Sequence, residues 1–232
     1  MAKVKYNKLL GEYGYLGDLY TSIANLELTT STSKKAVYTD SESGNKLILV
    51  GKNFVYDGAD MEGGTINTIA FQNADGDRVA TVSKGKWDPQ DLVAAYFIDG
   101  FDGMVSYVLK GKDKVLGSNI GDLLGGEAAA DRILGKGGAD FIAGHGGNDK
   151  LWGGKGSDVF NFAPGDGHDK IFDFDAVGGG RKQDYINLPF GTEYEEVKQG
   201  KNLLLDFGDG GSIMLVGVKA KDFDEADLWV IT

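Results

Sequence analysis

Residues 108–161, written in nines, read VLKGKDKVL, GSNIGDLLG, GEAAADRIL, GKGGADFIA, GHGGNDKLW and GGKGSDVFN, with no insertion. The sixth place is always aspartate: Asp113, Asp122, Asp131, Asp140, Asp149 and Asp158. The eighth is always a large apolar residue: Val115, Leu124, Ile133, Ile142, Leu151 and Phe160. Glycine opens the last five units, as Gly117, Gly126, Gly135, Gly144 and Gly153. Three positions sharing one period mark a solenoid, because a single unit of this size cannot bury its apolar residue alone and must stack on its neighbours.

Nine residues divide into a six-residue turn and a three-residue strand. The middle side chain of that strand, at the eighth place, points inward because strand side chains alternate. Two units then complete one coil of a flattened spiral. The expected fold is all-β: a right-handed parallel β-roll of nonapeptide repeats, with a β-rich N-terminal domain and a C-terminal β cap. Glycines at the first and fourth places are expected to supply positive φ angles in the turns. Turns on one side come from alternate units, so Asp131 stacks on Asp149 along one edge, and Asp122, Asp140 and Asp158 along the other. Strand spacing puts successive carboxylates roughly 4.8 Å apart, where bare charges repel by about 3 kcal/mol per pair at an effective dielectric near 20. Ca2+ takes oxygen ligands at about 2.3 to 2.6 Å, so an ion between successive turns can touch both carboxylates, with turn carbonyls completing the shell. The cofactor expected is therefore Ca2+, several ions, and the roll is expected to be loose or unfolded without them. The competing reading is a metal-free solenoid whose aspartates only satisfy turn amides, but glycine with asparagine or serine would do that without accumulating charge.

With these residues the chain resembles the RTX (repeats-in-toxin) family of calcium-binding proteins secreted by Gram-negative bacteria. The resemblance covers residues 108–232, because Gly165-Asp166-Gly167-His168-Asp169-Lys170-Ile171-Phe172-Asp173-Phe174 and Asp184-Tyr185-Ile186-Asn187-Leu188 are similar to the segment that closes such rolls. It implies calcium contacts from the side chains of Asp131, Asp140, Asp149 and Asp158, and Asp122, on the edge of Asp140 and Asp158, is a further candidate ligand. It also implies carbonyl contacts from three turns: Gly135, Lys136 and Gly138; Gly144, His145 and Gly147; Gly153, Gly154 and Gly156. Asp169 and Asp173 would cap a terminal ion. Lys136 and His145 depart from the usual second-place glycine, and the unit holding Ala128, Ala129 and Ala130 lacks the fourth-place glycine, so its site is expected to be incomplete. The ending Asp227-Leu228-Trp229-Val230-Ile231-Thr232 resembles an uncleaved signal read by type I secretion machinery. Such a chain would be secreted, extracellular or cell-surface associated, and would fold on the calcium outside.

Composition agrees with this reading. Thirty-seven glycines stand against three prolines in 232 residues, more than twice the usual share of about 7% glycine. A formal charge of −11 argues against nucleic acid or an anionic membrane as partner and for cation binding. Absence of cysteine excludes a disulfide framework and any thiol-based metal site or nucleophile. The first seven residues have no apolar core of signal-peptide length, and no run approaches a transmembrane segment.

The expected domains are 1–107, β-rich with an unknown ligand; 108–163, the calcium-binding roll; and 164–232, cap and secretion signal. In the first, strands are expected at 46–50, 54–56, 65–71 and 79–82, with Asp75-Gly76 turning the last pair. Asp88-Pro89 reads as an N-cap and first-turn proline opening a short helix through Leu92, Ala95, Tyr96 and Ile98. Tyr6, Tyr13, Tyr15 and Tyr20 read as packing residues or as a carbohydrate-facing surface.

His145 and His168 are the only histidines, and there is no H-E-x-x-H, G-x-S-x-G or P-loop. An EF-hand fails because Phe71 stands where the first ligand belongs. Two readings follow: a non-catalytic calcium-binding module contacting a cell surface, matrix or extracellular polysaccharide through residues 1–107, and a carbohydrate-active enzyme with paired carboxylates in that domain.

Overall fold

The computed structural model describes residues 2–6, 26–176, 183–208 and 211–229. The chain divides into two compact units, Met1–Lys110 and Gly111–Thr232, so the roll and all that follows it belong to one unit.

The first unit is an antiparallel sheet with one helix. Its strands are β1 (Lys3–Tyr6), β2 (Leu26–Thr32), β3 (Lys35–Asp40), β4 (Lys46–Asp57), β5 (Asp60–Gln72) and β6 (Arg78–Trp87), in the sheet order β1-β6-β5-β4-β3-β2. Val37, Ile48 and Ala70 pack as one buried cluster on it. The expected strands 46–50 and 54–56 are one strand. The Gly51–Asn53 interruption is a pair of bulges where the register with β5 shifts and Asn53 turns to φ +56°. A Cβ at Gly51 would collide with the Thr65 carbonyl and the Phe54 ring. Bulges bend a strand without ending it, which is why these residues look like a loop in sequence.

Helix α1 (Pro89–Val108) opens as expected: Asp88 is the N-cap, and its carboxylate accepts the amides of Gln90 and Asp91. It is not short, however. It runs 20 residues through Gly100 and Gly103, and it takes Val108 out of the first nonapeptide. Asp-Gly pairs are turn signals, but a glycine inside a helix costs only about 1 kcal/mol, and the helix end is tied down where the Trp87 indole donates to the Val108 carbonyl at 3.3 Å. Tyr13, Tyr15 and Tyr20 lie outside the described residues, as does the Tyr6 side chain.

The second unit is a parallel β-roll. One sheet holds β7 (Lys114–Leu116), β9 (Arg132–Gly137), β11 (Lys150–Lys155), β13 (His168–Ile171) and β17 (Ser212–Leu215), each parallel to the next. The other holds β8 (Leu123–Gly125), β10 (Phe141–Ala143), β12 (Val159–Asn161), β14 (Tyr185–Asn187) and β18 (Leu228–Trp229). The register places each eighth-place residue on its counterpart one coil away, Val115 on Ile133 on Leu151 and Leu124 on Ile142 on Phe160. All six are at most 1% exposed, and they form the core of the roll.

Two antiparallel strands, β15 (Glu195–Gln199) and β16 (Asn202–Asp206), extend the first sheet beyond β17 and bury Leu203 and Leu205. At the end of the second sheet, Phe174 lies between Phe160 and Phe223, with ring centroids 6.1 and 6.2 Å away. Leu228 pairs with Ile186 as a rung of that sheet, while residues 230–232, the end of the expected secretion signal, lie outside the described residues.

Candidate metal centre

Every sixth-place aspartate is buried, and each is placed by the short strand that follows it, whose inward eighth-place side chain anchors the turn. The carboxylates form two ladders. Along one edge the Asp113 amide donates to Asp131 Oδ1 at 2.6 Å, Asp131 to Asp149 at 2.7 Å, and Asp149 to Asp169 at 2.7 Å. Along the other, Asp122 donates to Asp140 at 2.8 Å, Asp140 to Asp158 at 2.9 Å, and Asp158 to Asp184 at 2.9 Å. These are the two stacks expected from the period, each lengthened. Asp173 joins by accepting the Gly153 amide at 3.0 Å. Asp113 and Asp184 also stand in these ladders, beyond the site residues that the sequence predicts. Asp113 shares the sixth place, and Asp184 precedes a Tyr-Ile-Asn triplet much as a sixth-place aspartate precedes its strand, but 26 residues separate it from Asp158 and hide the period.

The other oxygen of the carboxylate has a different fate. Oδ2 of Asp131, Asp140, Asp149 and Asp158 is buried and accepts no hydrogen bond. Leaving a buried acceptor unsatisfied costs about 1–3 kcal/mol, more when it is charged. In all four of these turns the first-place glycine lies directly against that oxygen: a Cβ on Gly126, Gly135, Gly144 or Gly153 would land on Oδ2 of Asp131, Asp140, Asp149 or Asp158.

This corrects the expected role of the glycines. Positive φ falls at the second and fourth places, namely Glu127 and Ala129, Lys136 and Gly138, His145 and Gly147, and Gly154 and Gly156, while the first-place glycines have none. First-place glycine is required by close approach, and the fourth-place glycines by backbone conformation. Glu127, Ala129, Lys136 and His145 adopt the left-handed conformation with a Cβ, at some cost in strain.

Burial in the turn pushes these carboxyls upward. Asp131 reaches about 8, with Asp149 and Asp113 adding like-charge repulsion; Asp140 reaches about 7, beside Asp158 and Asp122; Asp149 reaches about 6. Asp169 and Asp184 each reach about 7, again chiefly through burial. Asp122, Asp158 and Asp173 are raised for the same first cause. Asp131, Asp140, Asp149 and Asp158, buried and each with one oxygen that accepts no hydrogen bond, are a donor set for a hard cation. Among the described residues no three acidic or histidine side chains converge on one point. Side chains alone therefore do not make the centre, and turn carbonyls would have to supply most of the shell. His145 is exposed at its turn, and His168 is exposed with Nδ1 2.9 Å from Ser212 Oγ.

In the first unit, a groove of about 700 Å³ lies between β4, β5 and the start of α1, lined mainly by apolar side chains such as Leu47, Leu49 and Met61. Asp60 and Glu62 border it, but both are exposed, and Glu62 is engaged by the Gln90 amide at 3.3 Å. Among the described residues it presents no buried acid. None of the described helices is long and apolar enough to cross a membrane.

Fold and site together define a calcium-binding β-roll module built from acidic nonapeptide turns. Residues 125–160 match the model of the RTX calcium-binding nonapeptide repeat (4 copies), and the chain carries repeats of that family. Among solved structures it is similar to the AlgE6R3 subunit of the Azotobacter vinelandii mannuronan C5-epimerase, at 25% identity and a TM-score of 0.41, over 52% of this chain and 78% of that one. It is also similar to the extracellular lipase LipA from Serratia marcescens, at 13% identity and a TM-score of 0.32, over 90% of this chain but 31% of the lipase. A search of curated proteins found no match.

Proposed function

We propose that this chain is a secreted module whose roll folds on calcium outside the cell, with Asp131, Asp140, Asp149 and Asp158 as side-chain ligands. The observation that carries this reading is the unsatisfied buried Oδ2 on each of these four residues. Carbonyls of Gly135, Lys136 and Gly138, of Gly144, His145 and Gly147, and of Gly153, Gly154 and Gly156 complete the shells, and Asp169 and Asp173 close the far end. Calcium supplies the positive charge that lets the ladder ionise without repulsion. RTX repeat proteins are typically extracellular, where abundant calcium suits such weak sites. Export by type I machinery through the C-terminal residues belongs to the same proposal.

The test is a calcium titration of chelator-stripped protein by circular dichroism and calorimetry, with Asp140→Ala and Asp149→Ala alongside. A cooperative gain of β structure at sub-millimolar to millimolar calcium, weakened by either substitution, is expected. A roll already folded in chelator with no heat of binding would sink the calcium reading.

The outer face of the first roll sheet supports contact with an acidic polysaccharide. Seventh-place residues point outward, and the register sets Lys114, Arg132, Lys150 and Lys170 in one row across four strands. None of them forms an ion pair among the described residues, in a chain of net charge −11. Beside this row Trp152 stacks on Phe172 at 4.4 Å, and the Arg132 guanidinium lies 4.2 Å over the Trp152 ring. Cations next to flat aromatic faces suit sugar rings that carry carboxylates. A uronate polymer should bind more tightly than a neutral glucan, weaken with salt, and lose at least tenfold in affinity in Arg132→Ala/Lys150→Ala. Equal binding of both polymers would refute this placement. The apolar groove of the first unit carries no comparable charge row, and the catalytic alternative draws no support from its exposed carboxylates.

A further inference from the structure

The first turn pair of the second edge, residues 117–122 over 135–140, is built differently from the pairs that follow. Lys136 occupies the second place with φ +81°, and its side chain reaches back one coil so that Nζ donates to the Gly117 carbonyl. The next unit on this edge has Gly154 at the same place, with φ +104° and no side chain to reach back. Asp122 differs from the later aspartates as well. Its Oδ2 accepts the Ser118 amide at 2.5 Å, so it is not among the buried oxygens without a partner. Both Asp122 and Asp140 feel the Lys136 charge, which opposes the upward push of burial on each. The matched RTX repeats begin at residue 125, so they take in the 135–140 turn but not the 117–122 turn.

An ammonium brings one positive charge and three donors, and here the chain itself tethers it to a turn carbonyl on the edge whose carboxylates, Asp122 and Asp140, feel its charge. We infer that the Lys136 ammonium is a built-in cation that takes the place of calcium between the 117–122 and 135–140 turns, giving the roll a calcium-independent first rung. Asp122 is then a partner of Lys136 rather than a calcium ligand, while the Lys136 carbonyl remains with the turn that follows. Calcium-driven folding of the later turns extends from a rung already held together. The inference rests on the calcium reading of the later turns.

The experiment compares the full-length wild type with Lys136→Gly and Lys136→Met. Calcium stoichiometry is measured by equilibrium dialysis, and amide hydrogen exchange over 117–122 is followed in chelator. Lys136→Gly removes the tether and restores the second-place glycine, so it should bind one more ion than wild type. Lys136→Met should lose at least tenfold of the chelator-resistant protection at Ser118 and Asp122, and regain it in calcium. Unchanged stoichiometry in Lys136→Gly, or wild-type amides at 117–122 that exchange freely in chelator, would overturn the inference. A wild type that binds no calcium overturns the replacement of an ion by Lys136 together with the calcium reading. A wild type that binds calcium while Lys136→Gly gains none overturns the Lys136 inference alone.

Discussion

Asp131, Asp140 and Asp149 hold their protons to about 8, 7 and 6 in the metal-free roll, whereas an aspartate in an unfolded chain releases its proton near pH ~3.9. Between those limits the folded roll binds more protons than the unfolded chain, so its stability must fall as pH rises. The contribution is fully present below the unfolded value and is lost as pH climbs through the folded ones. In chelator the roll should therefore be most ordered at about pH 4 and loosest by about pH 8, a trend opposite to that of salt-bridged carboxylates; circular dichroism across this range checks it. Calcium binds the deprotonated form and so should release protons near pH ~7 but almost none near pH ~9. Calorimetry in buffers of different ionisation enthalpy measures that release, and a pH-independent heat would contradict the buried column.

At the scale of the turn, the first-place glycine decides whether a carboxylate can sit where it does. Gly144→Ala sets a methyl group on Asp149 Oδ2, and overpacking of this kind costs about 1–3 kcal/mol. It should lower the melting temperature in saturating calcium and weaken binding by about tenfold. Gly111→Ala, at a glycine with nothing within 4 Å and no positive φ, should stay within about 0.5 kcal/mol of wild type and serve as the control. A Gly144→Ala protein that matches this control would show that the turn has room to spare. The strands of the roll were legible because each carries its inward residue at a fixed place in the period. The length of α1 and the continuity of β4 were not, because Gly100, Gly103, Gly51 and Asn53 carry turn signals that neighbouring contacts override.

Across the whole molecule, the two units differ in what burial demands of them. The first buries apolar side chains such as Ile66, Ile69 and Phe71, whereas the second also buries its ladders of aspartates. Hydrogen exchange in chelator at pH 8 should leave residues 35–72 protected while 144–176 exchange, and calcium should restore the latter; loss of protection in both units at once would show that the first depends on the metal too. Sequence alone determined the period, the inward eighth-place residues, the two acidic edges and the pairing of each unit with the one 18 residues on. Repetition by translation turns those spatial neighbours into fixed offsets along the chain, so they can be read from it. Only the tertiary structure decided which carboxylate oxygen is left unpaired, that positive φ falls at the second place rather than the first, that Asp184 closes a ladder, and that Lys136 reaches Gly117. Those depend on where a turn's atoms lie against the turn one coil away, and a one-dimensional repeat carries no record of that distance.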